Sequence, residues 1–231
     1  ALPIFVILFM APGNDVRVAS EIATWMPGYK ELSVGNHLFM TIQWMLSSFA
    51  NEGKAFFIAI WAAGFLLLVK SKKAKVYQSL AVVFSVVALL PYAGISFFSE
   101  MGIGYIDIEQ CLTELPTWQT MTTQNRIAFF WWIAAVLFTL VLLWKVTGHS
   151  VFISMAFLGG IASEAVLHFS PTIYASGARV YYLTDLMYLF IILWMVMRMD
   201  SEKKKNLFIA GAAALGIINF LSQYSIMLLK L

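Results

Sequence analysis

Six long apolar runs, separated by short polar stretches, constrain the fold of this 231-residue chain more than any other feature. Each run approaches the ~20 residues that a helix needs to cross the ~30 Å hydrocarbon core of a bilayer. Because backbone N–H and C=O groups find no water inside lipid, each run is predicted to form a helix. The runs cover residues 55–69, 76–98, 127–144, 151–168, 180–197 and 206–229.

The composition favours a membrane protein and excludes several soluble classes. Hydrophobic residues make up 61% of the chain and charged residues only 12%, against about 25% charged in an ordinary globular domain. So few charges cannot cover a soluble fold, which argues against a disordered segment, a nucleic-acid-binding protein and nearly every soluble enzyme. The single cysteine, Cys111, excludes an internal disulfide framework and a zinc cluster. We therefore predict one all-α membrane domain over residues 1–231, with about six to eight transmembrane helices.

Two further apolar runs are less regular. Residues 1–10 form only half a span, and residues 32–50 are interrupted by polar residues such as Asn36 and His37. The second run is predicted to be an interfacial or re-entrant helix, which leaves residues 11–30 outside; if it crosses fully, they are cytoplasmic. Because the chain opens inside an apolar run without a Met, we expect the C-terminal part of a longer protein, with removal of an initiator Met as the alternative.

Basic residues cluster in three short stretches between the apolar runs. If the six runs are spans, these stretches lie on one side of the membrane, and positively charged loops remain cytoplasmic. The opposite side receives residues 99–126 and 170–179. We therefore predict a multi-pass protein of the bacterial plasma membrane with its unusual polar residues on the extracytoplasmic face. The basic residues are Lys70, Lys72, Lys73, Lys75, Lys145, Arg198, Lys203, Lys204 and Lys205.

A short polar motif, APGNDVR at residues 11–17, follows the first apolar run. Pro12 and Gly13 end a helix there, and Asn14 favours a turn. Arg17 then lies at the membrane edge, where its planar guanidinium can bind a phosphate or a carboxylate. The alternative is an ordinary helix end with an arginine that reaches the interface.

Glu164 and His168 form a second polar group near the end of a predicted span. Their spacing of four residues places both side chains on one helix face. A carboxylate and an imidazole can together pass protons, hold a metal or position a sugar hydroxyl. Because two ligands do not make a metal site, none is predicted, and a structural hydrogen-bonded pair is the alternative.

The segment SPTIYASGAR at residues 170–179 begins two residues after His168. Its hydroxyl groups can bind a sugar while Arg179 holds an anion. Asp185 follows, about a turn and a half into the next helix, where a carboxylate needs a partner. Arg179 or Arg17 is the expected partner, and Asp185 has either a catalytic role or a place in a structural Asp–Arg pair.

The motifs APGNDVR and SPTIYASGAR resemble those of a bacterial multispanning membrane family that is similar to the O-antigen glucosyltransferases and to other C-type glycosyltransferases. The resemblance implies a sugar carried on polyprenyl phosphate and chemistry on the extracytoplasmic face. It marks Asn14, Arg17, Ser176 and Arg179 as motif positions. It also implies a first span followed by a loop with an acidic catalytic residue, and this sequence contains neither.

The leading hypothesis is therefore a glycosyltransferase-like protein of cell-envelope glycan assembly. The predicted substrate-binding residues are those four motif positions together with His168, and the arginines hold the donor phosphate. Asp185 or Glu164 orients or deprotonates the acceptor hydroxyl. The alternatives are a transporter or flippase of a lipid-linked glycan, and a noncatalytic subunit that packs against a membrane protein partner. The sequence has no nucleotide-binding motif and predicts no cofactor and no nucleic-acid partner.

Overall fold

Helices make up all the regular secondary structure in the part of the chain that the computed structural model describes, residues 14–71, 74–90, 118–119, 121, 123–148, 150–167 and 181–229. A 3₁₀ turn, Tyr29–Glu31, and a π-helical turn, Phe49–Gly53, accompany the α-helices. The all-α class is thus confirmed for these residues. The α-helices are α1 (Asn14–Trp25), α2 (Val34–Ser48), α3 (Lys54–Leu68), α4 (Lys75–Leu89), α5 (Thr123–Val146), α6 (Val151–Leu167), α7 (Tyr182–Met197) and α8 (Glu202–Leu229).

The six predicted apolar runs correspond to helices α3 to α8. Within the described residues, two helical stretches are long and apolar enough to cross a membrane: Arg126–Val146 in α5 and Glu202–Leu221 in α8. The other four apolar helices are shorter, and α3, for example, has 15 residues. A helix of that length measures about 22 Å, less than the ~30 Å of a bilayer core. The predicted number of spans is therefore not established by helix length.

The irregular run at residues 32–50 forms α2, which continues through the π-helical turn directly into α3. The interfacial or re-entrant placement of this helix in a membrane stays a prediction. Phe57 of α3 contacts Trp132 of α5, with ring centroids 5.7 Å apart. Phe39 contacts Phe129. Along the helical path Phe39 lies about 27 Å before Phe57, whereas along α5 Phe129 lies only about 4.5 Å before Trp132. The helix therefore changes direction near the π-helical turn, and α2 runs across the end of the bundle.

Helix α3 lies at the centre of the bundle and packs against α4, α5, α7 and α8. At Gly64 the contact with α5 is so close that an added Cβ would lie 2.7 Å from a methyl carbon of Leu142. Trp61 is fully buried, and its Nε1 donates a hydrogen bond of 2.8 Å to Oγ1 of Thr139. Since both contacts advance in the same direction along the two helices, α3 and α5 run parallel.

The bundle has two chemically different ends. At one end, Asp200 forms salt bridges with Lys70 and Lys204, at 2.7 and 2.8 Å. The parallel course of α3 and α5 brings Lys145 to this end as well. The clustering of these basic residues at one end is thus confirmed, and we call it the lysine end. Ser48 lies about 30 Å from Leu68 along the helix, at the opposite end, which we call the polar end.

Candidate functional site

The polar end contains a deeply buried carboxyl group, that of Glu164 on α6. Glu164 is 1% exposed. The Ser48 hydroxyl, at the end of α2, donates a hydrogen bond to Oε1 of Glu164 and also lies 2.8 Å from the Met45 carbonyl oxygen. Because a serine has a single hydroxyl proton, these two acceptors share it. The contact joins α2 to α6 beside the π-helical turn, a feature that is frequent at functional sites.

The first turn of α7 packs against α6 through small polar groups. The Thr184 hydroxyl donates to the Gly160 carbonyl oxygen at 3.1 Å, and the Ser163 hydroxyl donates to the same oxygen at 2.7 Å. An added Cβ at Gly160 would lie 3.5 Å from Tyr188 and Met187, an ordinary packing distance, so this contact does not depend on a glycine. These contacts place Asp185, the residue after Thr184, beside the buried part of α6.

Asp185 and Glu164 line the same small cavity. Its volume is about 10 Å³, close to the space needed for one water molecule. Tyr188, one turn after Asp185, also lines this cavity and is 1% exposed. Its hydroxyl has no hydrogen-bond partner among the described residues. The cavity walls are formed by Ser48, Phe49, Gly53, Glu164, Tyr181, Thr184, Asp185 and Tyr188.

The cavity can hold one small hydroxylic group between two carboxyl groups and a phenol. A carboxylate can accept a proton from such a group, and the Tyr188 hydroxyl can donate to it or accept from it. Among the described residues, no group of three or more His, Cys, Asp or Glu side chains could hold a metal ion. These described groups can take part in hydrogen bonding and proton transfer.

Helix α2 covers this end of the bundle. Trp44 on α2 donates a hydrogen bond of 2.9 Å from Nε1 to the Tyr181 hydroxyl, just before α7. On its other side, Trp44 packs with Met26 and Met40 in a small apolar cluster. Met26 follows α1, so α1 also lies at the polar end.

Arg17 is exposed on α1 and bound to a neighbour on the same helix. Its Nε donates to Oε1 of Glu21 at 2.8 Å, and its side chain is 74% exposed. The hydrogen bond from Arg17 to Glu21, together with the Glu21 charge, raises the pKa of the guanidinium. Its described polar partner is thus Glu21 and not the predicted Asp185.

The remaining predicted site residues differ in how far they are described. Asn14 begins α1, but its side chain lies outside the described residues. His168, Ser176 and Arg179 also lie outside them. The convergence of Arg17 with Arg179 therefore stays a prediction, whereas Glu164 and Asp185 do come together.

Sequence reasoning missed three polar members of the cavity wall, Ser48, Thr184 and Tyr188. Hydroxyl residues in apolar helices are common, so neither their type nor their spacing distinguishes them. Tyr188 gave one usable signal, because it lies three residues after Asp185 and hence on the same helix face.

No protein-family model, no curated protein and no solved structure matches this chain.

Proposed function

We propose that this chain is a membrane-embedded bundle of about six to eight spans. Its outer surface supports this proposal, since many large apolar side chains are exposed. On α8, Leu207, Ile217 and Phe220 are each more than 60% exposed. Water would disfavour such a surface, whereas lipid covers it without cost. The path along the helix from Ser48 to Leu68, about 30 Å, is also comparable to the thickness of a bilayer core.

The charges suggest an orientation for the bundle. Lysine-rich loops remain on the cytoplasmic side, so the lysine end faces the cytoplasm. The polar end then faces the extracytoplasmic side of a bacterial plasma membrane, and α2 lies along that interface. Trp25, Tyr29 and Trp44 fall in this region, and Trp and Tyr are enriched at membrane interfaces.

At the polar end, we propose transfer of a sugar from a polyprenyl phosphate donor in cell-envelope glycan assembly. The observation that carries this proposal is the meeting of Asp185 and Glu164 in one cavity at the end opposite the lysines. Asp185 is only half-buried and accepts the proton of an acceptor hydroxyl. The acceptor oxygen bonds to the anomeric carbon of the sugar, the bond from that carbon to phosphate breaks, and polyprenyl phosphate leaves. Glu164, held by Ser48, orients the acceptor.

The donor phosphate is assigned to Arg17 and Arg179 on the strength of the two sequence motifs. Ser176 and Asn14 are assigned to the sugar and phosphate groups on the same basis, and His168 on its spacing of four residues from Glu164. Binding by Arg17 requires an exchange, because its guanidinium is paired with Glu21 in the free protein. The 74% exposure of the Arg17 side chain favours that exchange, since ion pairs near the surface are weak.

The proposal is tested by comparing carboxylate variants at the two ends. Membranes that contain the full-length protein and its acceptor are supplied with polyprenyl-phosphate glucose labelled in the sugar. Asp185→Asn is expected to lower the release of polyprenyl phosphate by at least about 100-fold, the usual contribution of a general base. Asp200→Asn, at the lysine end, is the control and retains activity. Wild-type transfer by a folded Asp185→Asn variant would contradict the assignment.

The burial of Glu164 favours a second candidate, transport of a lipid-linked glycan. Carboxyl groups inside membrane bundles mark proton relays and substrate pathways. The same assay separates the two, because transport moves the intact labelled lipid whereas transfer leaves free polyprenyl phosphate. If the protein neither moves the labelled lipid nor releases polyprenyl phosphate, and it purifies in a stable complex, it is a noncatalytic subunit.

A further inference from the structure

An apolar groove runs along the outside of the bundle and shares no lining residue with the polar cavity. Helix α3 forms its floor, and α4 and α8 form its walls. Its volume is about 490 Å³, and its lining is almost entirely apolar. Small residues such as Ala62 and Gly211 keep it open. Helix α8 is largely exposed, and its groove residues Leu207 and Ile218 are among the exposed apolar side chains.

Each of the three helices that form this groove carries a lysine at the same end. Lys70 follows α3 by two residues, Lys75 begins α4, and Lys204 lies in the first turn of α8. Lys75 precedes the groove residues Val82 and Val86 by 7 and 11 positions, which places it on the same face of α4.

The same periodicity applies to α8. Lys204 precedes Phe208, Gly211 and Leu215 by 4, 7 and 11 positions, and all three line the groove. Asp200 is shared by Lys204 and Lys70, so it neutralises only one of the three positive charges. The groove therefore has an apolar body and a positively charged mouth at the lysine end.

We propose that the groove binds an anionic phospholipid, with an acyl chain along α3 and the phosphate at Lys70, Lys75 and Lys204. The groove provides the apolar contact and the lysines provide charge complementarity for a negative headgroup. This assignment rests on the membrane embedding proposed above, but not on sugar transfer. A zwitterionic lipid matches the groove but not its mouth.

The test counts bound lipids on the full-length protein, purified in detergent, by native mass spectrometry. Phosphatidylglycerol and phosphatidylcholine with identical acyl chains are the probes. Retention of phosphatidylglycerol is expected to exceed that of phosphatidylcholine, and Lys75→Gln is expected to lower it about fivefold. Lys145→Gln is the matched control, because Lys145 is an exposed lysine at the same end on a helix that does not line the groove. Equal retention of the two lipids, or equal effects of the two variants, would overturn the proposal.

A second pair of variants tests the groove itself. An added Cβ at Gly211 or at Gly216 meets no atom within 4 Å, so α8 tolerates a larger side chain at either position. Only Gly211 lines the groove. Gly211→Leu is expected to abolish retention of phosphatidylglycerol, while Gly216→Leu preserves it. Retention that survives Gly211→Leu would show that the lipid lies elsewhere.

The failure of this proposal is distinguishable from that of the proposed function. A protein that extracts from cells without detergent and retains neither lipid refutes the membrane embedding. Selective retention of phosphatidylglycerol without sugar transfer supports the groove and refutes only the catalytic assignment.

Discussion

The two ends of the bundle each use one carboxylate to connect helices, in opposite surroundings. Glu164 is buried and joins α6 to α2 through the Ser48 hydroxyl. Asp200 has a side chain that is 47% exposed, and it joins the residues after α3 to α8 through two lysines. Water and salt weaken the second arrangement but reach the first much less. Similar contacts therefore have unequal consequences for stability, and the variants below test that difference.

The largest effect is expected at Tyr188, in the wall of the polar cavity. Tyr188→Ala removes a fully buried aromatic ring and is expected to lower the free energy of unfolding by about 3–5 kcal/mol. Tyr188→Phe removes only a hydroxyl without a partner among the described residues and is expected to change it by less than about 1 kcal/mol. Denaturant unfolding in detergent measures both. A large loss for Tyr188→Phe would contradict this and indicate a bound water.

Glu164→Ala is expected to have the next largest effect. It removes the acceptor of the Ser48 hydrogen bond and is expected to cost about 1.5–3 kcal/mol. Glu164→Gln keeps an acceptor oxygen and is the matched control with a smaller loss. Asp200→Ala, measured in the same way, is expected to leave the unfolding midpoint nearly unchanged. Equal losses for Glu164→Ala and Asp200→Ala would remove the distinction between the two ends.

A smaller effect is expected for the bond between α2 and α7. Trp44→Phe and Tyr181→Phe each remove the hydrogen bond from Trp44 Nε1 to the Tyr181 hydroxyl, at about 1 kcal/mol. The double variant is expected to lose less than the sum of the two, and a double-mutant cycle on unfolding free energies measures the difference. Strict additivity would mean that the bond contributes nothing.

The smallest effect concerns pH at the lysine end. Hydrogen bonds from Lys204 and Lys70 hold the pKa of Asp200 well below its usual range. Its contribution is fully present above the unfolded pKa of about 4 and is lost as the pH falls towards the lower folded value. The difference in unfolding midpoint between the wild type and Asp200→Asn is therefore expected to shrink as the pH falls below about 4. A difference that grows on acidification would reverse this sign.

Much of the helical architecture was predictable, because apolar runs must form helices wherever the backbone lacks water. Over the described residues, each of the six runs overlaps one of the helices α3 to α8, and Lys70 and Lys204 do lie at one end. The course of residues 32–50 was predicted only in part. Their polar residues indicated an interfacial helix, but no local signal showed that the chain would continue through a π-helical turn into α3.

The candidate site was predictable only for its charged members. Glu164 and Asp185 stand out because a carboxylate in an apolar helix is costly. Ser48 and Thr184 do not, since their roles depend on which helices meet, and that depends on packing between residues far apart in sequence. Arg17 is the opposite case, a charged residue that was predicted to pair with Asp185. Its charge is instead paired on the same helix with Glu21, four residues later.

The change of direction at Phe49–Gly53 has a mechanical consequence. Helix α2, the π-helical turn and α3 form one continuous helix that bends at this turn. Ser48 lies at the end of α2, and α3 ends two residues before Lys70. A movement of α2 that displaces Ser48 from Glu164 therefore also acts on α3 through this bend. The bend at Phe49–Gly53 thus couples the polar end of this helix to its lysine end.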